Sequence, residues 1–125
     1  MKKMLSVDYG ESWIGLAISD SENKIALPYK IITNDNFVKQ LKDICEQEDI
    51  GKIVVGLPLA LSGEETEQTK EVKNVVETLK REFTIPIEVE DERMTSKLAS
   101  AVVKGKKEDA SAAAIILQSY LDRRG

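Results

Sequence analysis

Met4-Leu5-Ser6-Val7-Asp8, Tyr9-Gly10-Glu11-Ser12, Trp13-Ile14-Gly15-Leu16-Ala17-Ile18-Ser19: residues 4–19 hold two short apolar runs on either side of a polar break that contains a glycine. Runs of this length and composition are strand signals, and two so close in sequence predict a β-hairpin with its loop around Gly10 to Ser12. A third strand is expected at Leu27 to Ile32. The apolar spacing then changes. Asn34 or Asp35 is placed to cap a helix with the face Phe37, Leu41, Ile44 and Cys45, ending before Gly51. Ile53-Val54-Val55 is a compact buried strand stopped by Gly56 and Pro58. Ser62 or Gly63 begins a second helix through Val72, Val75, Val76 and Leu79, and Pro86 starts a short strand over Ile87 to Asp91. Thr95 opens a brief helix to Lys104, Gly105 breaks it, and Asp109 to Arg123 forms a last helix with Ala113, Ile116, Leu117 and Tyr120 facing the core. An antiparallel meander followed by crossover units predicts an α/β fold: a mixed five-stranded sheet with helices on both faces.

At 125 residues and 42% hydrophobic content the chain is long enough for one core, so residues 1–125 are expected to form a single domain. The one cysteine, Cys45, has no disulfide partner in the chain and falls in an apolar rhythm, which reads as a small hydrophobe in a reducing compartment. No apolar run reaches the roughly 18 residues of a membrane span, and Met-Lys-Lys leads straight into a strand, so a cytoplasmic location is expected. The absence of histidine excludes imidazole bases and histidine metal ligands, leaving carboxylates, lysines, hydroxyls and Cys45. A net charge of −4 requires any nucleic-acid site to be a local patch. Arg93, Lys97, Lys104, Lys106 and Lys107 form one such stretch, directly after the acidic segment Glu88 to Glu92; a solvated helix face and loop would have the same charges.

In open α/β sheets, sites lie beyond the carboxyl ends of the strands. That rule selects Asp8, Gly56-Leu57-Pro58 and Asp91-Glu92. Each acid also has an ordinary structural explanation: Asp8 before Tyr9-Gly10 as a turn residue, Asp91 and Glu92 as an exposed strand end beside Arg93, Asp109 as an acid favoured by a helix N-terminus. Taken together they suit another chemistry. Mg²⁺ and Mn²⁺ take oxygen ligands, one or two carboxylates per ion, and such ions hydrolyse phosphodiesters without any histidine.

These segments resemble the YqgF family, pre-16S rRNA nucleases and Holliday junction resolvase-like proteins of the ribonuclease H-like superfamily. The likeness is carried by Val7-Asp8-Tyr9-Gly10 with Ile14 to Asp20, by Ile53-Val54-Val55-Gly56-Leu57-Pro58-Leu59 with Gly63, by Asp91-Glu92-Arg93-Met94-Thr95, and by Lys107 to Ala113 running into Ile115 to Leu121. Four ordered blocks covering nearly the whole chain are specific where any single one is not. The resemblance implies a ribonuclease H-like fold, with metal-binding and catalytic carboxylates at Asp8, Glu92 and Asp109. Strict alternation along the strand would put Asp91 with Ile87 and Val89, and Glu92 with Glu88 and Glu90, unless a bulge intervenes; Glu92 is taken as the ligand and Asp91 as its reserve. Arg93 and Lys107 are expected to contact phosphate, and Gly56 and Pro58 to shape the cleft.

The chain departs from the family pattern after the first block. Where the family usually has a threonine followed by basic residues, this sequence has Glu11, Ser12 and Trp13; the segment Thr95 to Lys107 is shorter; and Glu108 replaces a common apolar residue. The leading expectation is a Mg²⁺- or Mn²⁺-dependent endonuclease acting on structured nucleic acid, with the 5′ end of precursor 16S rRNA favoured and a four-way DNA junction as the alternative substrate. A non-cleaving nucleic-acid-binding assembly factor is the reading from another class, and an actin-like phosphate-binding lobe is a third that 125 residues do not accommodate. A junction resolvase would require a two-fold dimer, an RNA-trimming enzyme would not, so monomer and homodimer both stand.

Overall fold

The computed structural model describes residues 2–92 and 111–124. Five strands form one sheet: β1 (Lys3–Asp8), β2 (Trp13–Ser19), β3 (Ala26–Thr33), β4 (Ile50–Leu57) and β5 (Ile87–Asp91). Their order across the sheet is β3-β2-β1-β4-β5. β1 pairs antiparallel with β2 and β2 with β3, whereas β1 with β4 and β4 with β5 are parallel. This is the expected mixed sheet, and β1 sits at its centre because it belongs to both the meander and the crossover units.

Helices α1 (Phe37–Glu48) and α2 (Glu67–Glu82) cover one face, and α3 (Ser111–Arg124) the other. Alternation along the strands decides which side chain goes where. Leu5, Val7, Ile14, Leu16, Ile53 and Val55 join Leu41, Ile44, Val72, Val76 and Leu79 in the larger core cluster. The intervening Ala17 and Val54 meet Ala113, Ile116, Leu117 and Tyr120 under α3. Cys45 is half-buried against the larger cluster, and burial pushes its thiol up to about 11, so it is a packing residue and not a nucleophile.

The element ends differ from expectation for local reasons. The residue before α1 is Asn36, in the left-handed region with no side-chain cap. Asn34 does not cap, because its amide donates to the Gly10 carbonyl at 2.8 Å; the Gln40 amide instead reaches the carbonyls of Thr33 and Asp35. β4 starts at Ile50, ahead of the expected Ile53, since Asp49 adopts φ 57 and turns α1 directly into the strand. α2 starts at Glu67, later than Ser62 or Gly63, where Thr66 and Thr69 form a reciprocal capping box. The expected helix from Thr95 to Lys104 lies outside the described residues. None of the described helices is long and apolar enough to cross a membrane.

Candidate active site

Parallel pairing brings three carboxyl ends to one rim of the sheet. Val7 is opposite Val55, and Leu57 is opposite Asp91, so Asp8, Gly56 to Pro58 and Glu92 follow one another across β1, β4 and β5. Asp8 shares its face with Ser6, whose hydroxyl donates to the Ala113 carbonyl at 2.7 Å, so the Asp8 carboxylate is on the side of α3. It is half-buried, and its partner across the hairpin is Gly15, which has no side chain to crowd it. The loop after Asp8 is tight: a Cβ on Gly10 would lie 2.6 Å from the Trp13 carbonyl oxygen. Asn34 ties that loop down through the Gly10 carbonyl and, from its backbone N–H, the Ser12 carbonyl at 3.1 Å.

Glu88, Glu90 and Glu92 take the same face. Glu88 accepts a hydrogen bond from the Tyr120 hydroxyl at 2.6 Å, and Glu90, only 3% exposed, accepts from Ser119 and from Arg123. Glu92 continues the alternation without a bulge, its N–H donating to the Leu57 carbonyl at 3.1 Å. Its Oε2 lies 2.8 Å from where a Cβ on Gly56 would stand, and Ile116 Cδ1 lies 2.5 Å from the same point. Glycine at 56 is therefore what lets both α3 and the Glu92 carboxylate close over the end of β4. Asp91 is exposed on the other face with Ile87 and Val89. Pro58 closes the set through its carbonyl, which accepts from the Thr69 hydroxyl and ties the end of β4 to the first turn of α2.

α3 runs antiparallel to β4: Ala113 meets Ser6, Ile116 meets Gly56, and Tyr120 meets Lys52. Its N-terminal end, the positive pole of the helix, therefore faces the rim that carries Asp8 and Glu92. Among the described residues no three Asp, Glu or Cys side chains come close enough to hold a metal ion. Arg93, Lys107 and Asp109 lie outside the described residues, as do Lys97, Lys104 and Lys106. Asp8 and Glu92 stand on one face at the ends of β1 and β5, the two strands that flank β4, and carboxylate oxygens are donors that suit a hard divalent cation such as Mg²⁺ or Mn²⁺.

The sequence reading passed over a polar cluster at the opposite end of α3. Lys52 donates to the Tyr120 hydroxyl at 2.9 Å and pairs with Glu88 at 3.3 Å, and the Arg123 guanidinium pairs with buried Glu90. The Tyr120 hydroxyl bond, ahead of the Lys52 charge, holds the Glu88 carboxyl below its ordinary value. The Lys52 ammonium is raised for the same reason, by its bond to Tyr120. The signal was in the sequence: even-numbered acids on β5 matched by Ser119, Tyr120 and Arg123 on one stripe of α3.

The chain matches the RuvX family, described as Holliday junction resolvase, over residues 2–123. It belongs to this family. It is 41% identical to a protein of Maridesulfovibrio salexigens named "Putative pre-16S rRNA nuclease", with 97% of this chain and 98% of that one covered. A protein of the same name from a Sulfurihydrogenibium species is 43% identical, covering 98% and 92%. RuvX and YqgF are one family, and the chain is accordingly a nuclease, a hydrolase of nucleic-acid esters. Among solved structures, Thermus thermophilus RuvC in complex with a Holliday junction substrate superposes with a TM-score of 0.60 at 11% identity, covering 99% of this chain and 96% of that one. The Fowlpox virus resolvase bound to Holliday junction DNA gives 0.57 at 12%, covering 98% of each. These likenesses establish the ribonuclease H-like fold. Nucleases of that fold generally work through divalent metal ions.

Proposed function

We propose that this RuvX-family chain is a single-domain cytoplasmic endonuclease that trims the 5′ end of precursor 16S rRNA, using Mg²⁺ or Mn²⁺ held by Asp8, Glu92 and Asp109. The observation that supports it most is the placement of Asp8 and Glu92 on the α3 face at the ends of β1 and β5, the strands on either side of β4, with Gly56 of β4 between them. Asp109 precedes Ser111, the first residue of α3, by two positions, which makes it the natural third carboxylate. A divalent cation bound there supplies activation of the attacking water and neutralisation of charge on the phosphate. The chain's own residues do the rest. Gly56 leaves room over β4 for Glu92, Pro58 fixes the adjoining loop through Thr69, and Arg93 and Lys107 attract the phosphate that an anionic protein would otherwise repel.

The family description and the names of the relatives favour different substrates, a four-way DNA junction and precursor rRNA. Incubating purified protein and Mn²⁺ with a precursor rRNA fragment and, in parallel, a synthetic junction separates them. Metal-dependent cleavage of the RNA that is lost in Asp8→Asn is expected from either a monomer or a homodimer. Symmetrical cutting of the junction with intact RNA would replace the RNA reading by a dimeric resolvase. Binding to either without cleavage would make the chain a non-cleaving assembly factor.

A further inference from the structure

Six aromatic residues occur in this chain, and one of them is a tryptophan. Tyr9, Tyr29, Phe37 and Phe83 pack on the larger core cluster and Tyr120 lies in the smaller one. Trp13 belongs to neither and is 56% exposed. Its backbone is not loose: it pairs with Thr33 of β3, and the adjoining loop is fastened by Asn34. Ile14, Leu16 and Ile18 point into the larger cluster and Ala17 into the smaller, so Trp13 and Gly15 take the face of Ala17, which is also the face of Asp8. Gly15 is directly opposite Asp8. Trp13, two residues further along β2, is thus the diagonal neighbour of Asp8, about 7–8 Å away on a regular ladder.

We propose that Trp13 is a stacking platform for an unpaired nucleobase of a strand that passes the Asp8–Glu92 rim, a specificity determinant that selects strands with an unstacked base beside the cut. This rests on the nucleic-acid reading of the rim given above. A flat indole on a fastened backbone has only two side-chain torsions to order when it meets a base, and stacking needs no positive charge. It therefore supplies affinity where Glu11 and Ser12 offer no cation. A fully paired duplex keeps its bases stacked inside and cannot use the platform. The same surface would accept an unpaired base from RNA or from DNA.

Because Trp13 is the sole tryptophan, its fluorescence reports the contact directly. The full chain, with metal chelated so that no strand is cut, is titrated with a short unpaired RNA, the same sequence as DNA, and the corresponding blunt duplex. Quenching by at least one unpaired strand and not by the duplex is expected, and the two single-strand arms show which sugar the site takes. Affinity for a labelled strand, read by anisotropy, should fall about 5- to 150-fold in Trp13→Ala and be largely restored in Trp13→Phe. No quenching by either strand, equal quenching by duplex, or unchanged affinity in Trp13→Ala overturns the proposal. So does an emission shift that follows protein concentration alone, which would assign Trp13 to an interface between copies. Metal-dependent cleavage with unmoved Trp13 emission would defeat the stacking platform and leave the nuclease reading standing; quenching without cleavage would do the reverse.

Discussion

Gly56→Ala is the smallest change that bears on both the packing of α3 and the position of Glu92. The added methyl would stand 2.5 Å from Ile116 Cδ1, 3.2 Å from Ile116 Cγ1 and 2.8 Å from Glu92 Oε2. Carbon atoms rest about 3.5–4.0 Å apart, so the end of Ile116 must retreat by roughly 1 Å. Rotating it off its rotamer costs about 0.5–1.5 kcal/mol, and the tight Cγ1 contact adds backbone movement in a core that packs like a crystal. The total falls in the range of about 1–3 kcal/mol usual for overpacking. For a domain of 125 residues that lowers Tm by about 4–12 °C.

Ile116→Val separates the two effects, since it deletes Cδ1 and keeps Cγ1. Alone it costs about 0.5–1.5 kcal/mol. Combined with Gly56→Ala it should recover at least about 1 kcal/mol relative to the sum of the single changes, measured by calorimetry as a double-mutant cycle. Cleavage should not recover, because Glu92 is still displaced and a misplacement of about 1 Å is enough to cost roughly 100-fold in kcat. Strictly additive stabilities, or a Gly56→Ala enzyme with unaltered kcat, would refute the claim that Gly56 is reserved for Ile116 and Glu92.

Millimolar Mn²⁺ or Mg²⁺ should raise the Tm of the wild type and leave Asp8→Asn unmoved, because a cation bound only by the folded state stabilises it by linkage; equal shifts in the two would remove Asp8 from the metal site. Replacing Lys104, Lys106 and Lys107 together by Ala should weaken RNA binding about equally across sequences and flatten its dependence on salt, as loss of backbone contacts does; an unchanged slope would make that segment a solvated loop. Tyr120→Phe should lower stability by about 0.5–1 kcal/mol at neutral pH, discounted for the partial exposure of its partner Glu88. Because that bond depresses the Glu88 carboxyl below its ordinary value of 4.5, its contribution is present above 4.5 and is lost as pH falls through the depressed value; urea unfolding of both proteins down a pH series should show the gap closing, and a constant gap would break the link to Glu88.

The fold was legible in residues 4–19 and in the strand ends because alternation and apolar runs are local properties. Ser6 between Leu5 and Val7 already marks a side chain turned toward something polar, and the structure supplies the Ala113 carbonyl. The element boundaries were less legible where the chain settled a competition at a distance. Asn34 is a good capping residue by type, and only its approach to Gly10, 24 positions back, shows why it does not cap. Of the candidate site, strand ends pointed to Asp8 and to Asp91-Glu92, and the family resemblance, not alternation, chose Glu92 over Asp91; the structure puts Glu92 on the face of Asp8. The reason for Gly56 did not, since it depends on where Ile116 packs. The Glu90–Arg123 pair was harder to read although its residues show a pattern in the sequence, as a run of acids on a strand reads as solvated until a helix is laid over it.

That pair also explains how an acidic sheet edge can coexist with the proposed metal site a few residues away. Glu88 and Glu90 of β5 and Glu92 just beyond it lie in line on one face, and three like charges in a row would repel both one another and phosphate. The first two are neutralised within the fold, Glu88 by Lys52 and Tyr120, Glu90 by Arg123 and Ser119. The cations that do this sit at the C-terminal end of α3 and the start of β4, the end where a helix favours positive charge. Glu92 stands at the rim that also carries Asp8, and there the helix presents its opposite pole. α3 thus meets the acids of β5 differently along its length: toward its C-terminus Glu88 and Glu90 hold the helix, and toward its N-terminus Glu92 faces the rim proposed as the metal site. A consequence is that the two ends should respond separately to substitution, with Arg123→Ala lowering stability because it strips its guanidinium from a buried carboxylate, while Asp8→Asn spares stability in the absence of metal and removes the response to it.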